Sequence, residues 1–210
     1  MFPIIYNLFS KKETEDVFVN LLKESCYEKK KYMRIPTETA KQLYYYVQWT
    51  GPFVCKQNFH IKRSHFTSFL LIYTTEGGGT LNYGGKQYRI EKNTMCLLDC
   101  RMPHEYCTSS APWDFKFIHF YGNLSKAYYD YISHLYAAPV FSCGITDIGA
   151  IFDRVIENVQ NAGEESLCSE YVYRILTELI RDFHHADNAV NAKIIMNYIA
   201  ENYMECMDVD

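Results

Sequence analysis

The chain has 210 residues, enough for one good-sized domain with an appendage and a buried core. Apolar residues make up 48% of it and charged residues 22%, and the net charge of −4 leaves no electrostatic footprint for a phosphate backbone, so these residues alone should not hold duplex DNA. Eight cysteines without a CxxC spacing, no basic-then-apolar leader and no apolar run near the ~20 residues of a membrane span set the expectation of reduced thiols in a cytoplasmic protein.

Residues 13–26 carry Val17, Phe18, Leu21 and Leu22 at helical spacing and read as a short amphipathic helix, ended by the basic run Lys29 to Lys31. Short β-rich runs follow at 43–49, 66–75, 80–83, 87–90, 94–98, 104–107 and 114–121. Gly77-Gly78-Gly79 and Gly84-Gly85 sit where tight hairpins need positive φ. About seven such strands imply a small barrel or sandwich rather than a parallel sheet. The excess of aromatics, 16% of the chain with 19 tyrosines, fits a sheet protein.

Beyond Gly122 the pattern becomes helical. A helix over 125–138 with Ser125 as N-cap is followed by an extended piece at Val140-Phe141, then by helices over 147–161 and 164–185. The last of these repeats Leu167, Tyr171, Val172, Ile175, Leu176, Leu179, Ile180 and Phe183 at steps of three to five. That apolar face is wider than one packing seam needs. It can cover the sheet alone or meet a partner as well. A final helix over 190–203 has nothing after it to bury its apolar face, and the chain is expected to stop just inside a further domain.

Two stretches carry a family resemblance. Arg63, Phe69 to Tyr73, the 76–79 turn, Gly84 to Tyr88, Leu97-Leu98, Pro103-His104-Glu105-Tyr106 and Trp113 to Gly122 resemble, in order and spacing over 43–122, the sensor domain of AraC-type bacterial transcription regulators. Ile194 to Tyr203 resembles the first helix of that family's DNA-binding domain. The resemblance implies a mainly β fold with α, a cupin-like double-stranded β-barrel or jelly roll that receives a small-molecule effector, often a sugar. Helices that make a homodimer follow it, then helix-turn-helix units. The expected division is an arm with a short helix at 1–42, the barrel at 43–122, a helical dimerisation segment at 123–187 and the start of a DNA-binding domain at 188–210. DNA contact is expected only through a C-terminal part beyond these residues, and no membrane contact is expected.

Among candidate ligand contacts, Arg63 matches the family's ligand-contacting arginine. Its guanidinium is a planar fork of donors suited to a carboxylate or vicinal hydroxyls, whereas on residue type alone a surface salt bridge is the commoner fate. Tyr106 aligns with a pocket-facing position, with a core tyrosine as the open alternative, and His104 in the same turn joins the set. Strand alternation adds Trp49, Tyr73, Phe115 and Phe117 as pocket walls, for each of which plain core packing stays open; Tyr45 and Val47 are read on the face of Trp49. Where sugar-binding relatives present a histidine and a tryptophan, this chain has Phe115 and Phe117, which shifts the expected effector toward a less polar or aromatic one.

The expected dimer contacts are Val172, Leu176, Leu179, Ile180 and Phe183. The His-x-His pair of metal-dependent cupins is missing, and His60, His65, His104 and His119 fit no standard ligand spacing, so neither metal nor cofactor is expected. No nucleophile elbow or phosphate loop is present, and an enzyme is not expected. Two rival readings remain beside the sensor, a metal-dependent cupin isomerase or oxygenase and a dimerisation module whose barrel is filled.

Overall fold

The computed structural model describes residues 26–203, and the expected N-terminal helix over 13–26 falls outside them except for Cys26, which is in a strand. Among the described residues nine strands form one antiparallel sheet: β1 (Cys26–Lys29), β2 (Tyr32–Met33), β3 (Tyr46–Cys55), β4 (His60–Arg63), β5 (Phe69–Tyr83), β6 (Lys86–Ile90), β7 (Thr94–Asp99), β8 (His104–Tyr121) and β9 (Val140–Ser142). The helices are α1 (Glu38–Leu43), α2 (Ser125–Tyr136), α3 (Ile148–Gln160) and α4 (Glu165–Tyr203). The strand order is β1-β3-β8-β5-β7-β9, with β2 on β3, β4 on β8 and β6 on β5.

Two long strands close the barrel. The first half of β5 (Phe69 to Tyr73) pairs with β7 and with the last residues of β8, while its second half (Gly79 to Tyr83) pairs with β6 and with the first residues of β8. The register between β5 and β8 shifts repeatedly over Thr74 to Gly79, and such bulges bend the pair so that one sheet folds over onto itself, the jelly-roll geometry of a cupin-like barrel.

This corrects the reading of Gly77-Gly78-Gly79 as a hairpin turn. The glycines lie inside β5, with Gly77 at φ 68°, and a Cβ on Gly79 would stand 2.8 Å from the Trp113 ring and 2.6 Å from the Cys107 carbonyl oxygen. They let a corner pass over a tryptophan. Gly84 and Gly85, with φ of 58° and 75°, do make the β5–β6 hairpin.

Alternation then sorts the side chains into two cores. Leu70, Ile72, Cys96, Leu98, Phe115 and Phe117 point into the barrel; Phe69, Leu71, Met95, Leu97, Ile118 and Phe120 point out, against the helices. A register shift between Val47 and Trp49 breaks the alternation of β3, so Tyr45 and Val47 join the outer core while Trp49 joins the inner one. Sharing a face among these three was the wrong expectation, because a bulge reverses the side-chain parity.

The outer face is covered by α3, through Ile148, Ile151, Phe152 and Val155, and by α4, through Val172, Ile175, Leu176 and Leu179, all buried. The α4 helix is continuous where two helices were expected, since no glycine or proline interrupts residues 164–203. Ser125 is not the N-cap of α2: Leu124 holds that position, and the Ser125 hydroxyl is buried in the first turn without a hydrogen-bond partner. Sequence reading passed over α1, although Thr37 caps it by accepting from the Ala40 amide at 3.1 Å, and over the short strands β1, β2 and β4.

Candidate functional site

An open cleft of about 990 Å³ lies at one mouth of the barrel. Three loops and strand ends build it. The end of β4 and the loop after it supply Lys62, Arg63, Ser64 and Phe66, the β5–β6 hairpin supplies Asn82 to Gly85, and the start of β8 supplies Pro103, His104 and Glu105. Trp49 of β3 forms a wall, its ring stacked on Phe66 with centroids 5.1 Å apart and planes 22° from parallel. The Arg63 guanidinium carbon lies 5.9 Å from the centre of the Trp49 ring, and the Lys31 ammonium lies 3.5 Å from it.

Below this wall, His119 is buried. Its Nδ1 shares a hydrogen bond of 2.8 Å with the Ser68 hydroxyl, and its ring meets Trp49 and Phe66 edge-on. His104, also buried, pairs its Nδ1 with the Met102 carbonyl at 2.9 Å. Burial penalises the charged form of both imidazoles and the Arg63 guanidinium repels it, so both titrate below the usual histidine range, His119 well below it. Burial likewise pushes the Tyr106 hydroxyl up and the Cys100 thiol up to about 12, so neither is ionised near neutrality.

A pH response follows. In the unfolded chain each of these histidines takes up a proton as pH falls through about 6.5, while in the folded chain it resists. Stability is therefore complete above that pH and lost below it, with a slope approaching about 1.4 kcal/mol per pH unit for each histidine. Urea unfolding midpoints are expected to fall steadily from pH 7 to 5, and less steeply in His119→Gln; equal slopes in the two proteins would remove His119 from this account.

The expected ligand residues separate. Trp49, Arg63 and His104 line the cleft together. Tyr106 does not line it but stands just inside, its ring 6.4 Å from His104 and 6.3 Å from Trp113. Phe115 and Phe117 are packed deeper, with Phe53, Phe59 and Trp113, into an aromatic core that fills the far end of the barrel. Tyr73 faces the opposite way: it packs on Phe152 of α3 and bonds Asn93 at 3.3 Å, because odd positions of this half of β5 point to the helices.

Of the expected dimer residues, Val172, Leu176 and Leu179 have no exposed surface, while Ile180 and Phe183 are half-buried. Among the described residues no three His, Cys, Asp or Glu side chains are grouped to hold a metal ion.

Sequence reading missed Phe66, Lys31 and Tyr83. A large aromatic inside the polar run Ser64 to Ser68 was an available signal for Phe66, which lies in the loop before β5 rather than in the strand. Lys31 gave none, since its ring contact depends on β2 pairing with β3.

The AraC-like ligand binding domain family matches residues 47–176, from β3 to the first third of α4. No curated relative matches the chain. The solved structures it is similar to include the Cupin_2 domain of an XRE family transcriptional regulator from Enterobacter cloacae, at 15% identity over 45% of this chain and 97% of that one with a TM-score of 0.36. An HTH_3 family transcriptional regulator from Vibrio cholerae is similar at 13% identity over 52% of this chain and 62% of that one, TM-score 0.37. A predicted oxalate decarboxylase from Thermotoga maritima is similar at 16% identity over 35% of this chain, which spans 66% of its length, TM-score 0.33.

Proposed function

This chain belongs to the AraC-like ligand binding domain family, and on that premise we propose that it is the effector-sensing and dimerising region of an AraC-type transcription regulator, taking a small metabolite into the cleft beside Trp49, Arg63 and His104. The observation that carries this reading is Arg63, a forked donor on the last residue of β4, held at an open mouth above two neutral, buried histidines. The aromatic core below sets the floor, so effector sits at the mouth rather than deep in the barrel.

A physical connection from the mouth to the helices supports the signalling role. Three residues after Lys31, the Arg34 guanidinium donates to the Gly163 carbonyl at 2.6 Å and to the Asn158 carbonyl and side-chain oxygens at 3.4 Å, at the end of α3. The Thr37 amide donates to the Glu165 carboxylate at 3.0 Å, at the start of α4. Effector that displaces Lys31 thereby biases the α3–α4 corner by its difference in affinity for the two arrangements.

For the homodimer, the buried Val172, Leu176 and Leu179 serve this chain's own core. The partner contact is a shallow groove of about 300 Å³ bordered by Leu43, Leu124 and Tyr173, which are 71%, 59% and 49% exposed. DNA contact belongs to the C-terminal DNA-binding domain whose start the resemblance places at 188–210.

A thermal-shift screen of sugars, sugar acids, amino acids and aromatic acids, with EDTA and divalent metals as controls, tests the sensor. A saturating effector at a hundredfold excess over its Kd stabilises the fold by about 2.7 kcal/mol. The expected result is a metabolite response that ignores EDTA and disappears in Arg63→Ala. A response to metals alone, or one that Arg63→Ala retains in full, would refute the assignment.

A further inference from the structure

We propose that Cys26 and Cys55 form a redox modification site, a dithiol that a low-molecular-weight disulfide such as glutathione disulfide converts into a disulfide bond within the folded protein.

Geometry carries the assignment. Cys26 opens β1 and Cys55 closes β3, and the two residues face each other directly across this antiparallel pair. Opposed residues of such a pair have Cα atoms about 4.5–5.5 Å apart, inside the roughly 4.4–6.8 Å that a disulfide spans. Both side chains are buried in the inner core, and their sulfurs stand 3.4 Å apart in an S–H···S contact. A bond of about 2.05 Å then needs an approach of roughly 1.4 Å, which side-chain rotation supplies without moving a strand. Other cysteine sulfurs meet oxygen or nitrogen instead: Cys107 the Thr80 hydroxyl at 3.1 Å, Cys168 the Asn158 side-chain oxygen at 3.1 Å, and Cys100 the Nδ1 of His119 at 3.9 Å.

Access comes from the edge of the sheet. Among the described residues β1 ends the strand order and pairs with β3 alone. It is four residues long, and its register slips between Cys26 and Glu28, beside the dithiol. A short, irregular edge strand opens more readily than the ladders behind it. Opening is required, because burial holds the Cys55 thiol well above the ordinary thiol range and the thiolate is the attacking species. Once β1 opens, one protein thiolate attacks a sulfur of glutathione disulfide, forming a mixed disulfide and releasing one glutathione thiolate. The second protein thiolate then attacks the protein sulfur of that mixed disulfide and displaces the other glutathione. Two protein thiols are oxidised and one glutathione disulfide is reduced, and the two protons that leave the protein are taken up by the two glutathione thiolates.

The consequence follows from what the bond encloses. The ring 26–55 contains β2 and α1, the segment whose Arg34 and Thr37 reach the Gly163 carbonyl and the Glu165 carboxylate at the α3–α4 corner. Oxidation fastens the start of that segment to β3 and removes chain entropy from the unfolded state, so the oxidised fold is the more stable one.

The test uses the whole chain, first reduced, then equilibrated under native conditions at rising ratios of glutathione disulfide to glutathione, and finally unfolded and blocked with N-ethylmaleimide. The oxidised protein is expected to take up two fewer maleimides than the reduced control, and trypsin should release one linked peptide joining residues 24–29 to residues 42–56. The melting temperature should rise by roughly 5–10 °C on oxidation and return with dithiothreitol. Cys26→Ala should remove both the linked peptide and the rise, with circular dichroism confirming the fold, while the linked peptide in the unaltered chain needs no substitution at all. An unchanged maleimide count at every ratio, a glutathione adduct on either cysteine with no linked peptide, linkage of Cys26 or Cys55 to a different cysteine, or a bond that lowers the melting temperature overturns the proposal.

Discussion

Leu176→Glu is expected to abolish folding, while Leu124→Glu is expected to leave the fold intact and reduce the mass of the assembly. Leu176 has no exposed surface and lies in the core that joins α4 to α3 and to the outer face of the sheet, among Val47, Phe152, Val155 and Val172. A carboxylate there has neither water nor a cation, and the penalty combines a lost leucine with an unpaired buried charge, more than about 4 kcal/mol. A domain of this size has about 5–15 kcal/mol to lose. Leu124 is 59% exposed at the head of α2, so a charge there is solvated at once and costs the monomer little. Far-UV circular dichroism and urea unfolding follow the first variant, light scattering the second. A Leu176→Glu protein that unfolds cooperatively at the original midpoint would return that leucine to the surface. A Leu124→Glu protein whose mass matches the unaltered protein would take the groove beside α1 and α2 out of the proposed dimer.

The contrast between these two leucines shows what sequence periodicity resolves. Helical spacing found the apolar face of α4 correctly, with Val172, Ile175, Leu176 and Leu179 on one side, but spacing is the same whether a face meets its own sheet or another chain. The family resemblance put Arg63 among the candidate ligand contacts, and it lines one cleft together with His104 and Trp49. Alternation failed where the backbone changed parity: the bulge at Gln48 sent Tyr45 and Val47 away from Trp49. Tyr73 was lost differently, because two-residue periodicity defines two faces without saying which is inside. The corner glycines of β5 and the hairpin glycines at 84–85 look alike in sequence. Only the tryptophan packed over Gly79 distinguishes them, and Trp113 is 34 residues away.

That tryptophan sets the boundary between the filled and the open parts of the barrel. Trp113 is fully buried, its Nε1 donating to the Thr74 hydroxyl at 3.3 Å and its ring 4.6 Å from Phe115 and 6.0 Å from Phe59. Trp113→Ala is expected to cost about 3–5 kcal/mol, since removal of an indole from an aromatic core leaves a cavity that the corner above it cannot collapse to fill. The cavity would be lined by rings and stay dry, so added indole should restore part of the melting temperature in the variant and none in the unaltered chain. Between this cavity and the cleft stands the Tyr106 ring, in contact with Trp113 on one side and His104 on the other. Affinity of the cleft for a compound that the thermal-shift screen finds should therefore survive the substitution to within about twofold, once the folded fraction is accounted for. A large loss of that binding in a folded Trp113→Ala protein would mean that the two ends of the barrel form one site, and the effector would then have to be placed beneath Tyr106 rather than beside Trp49.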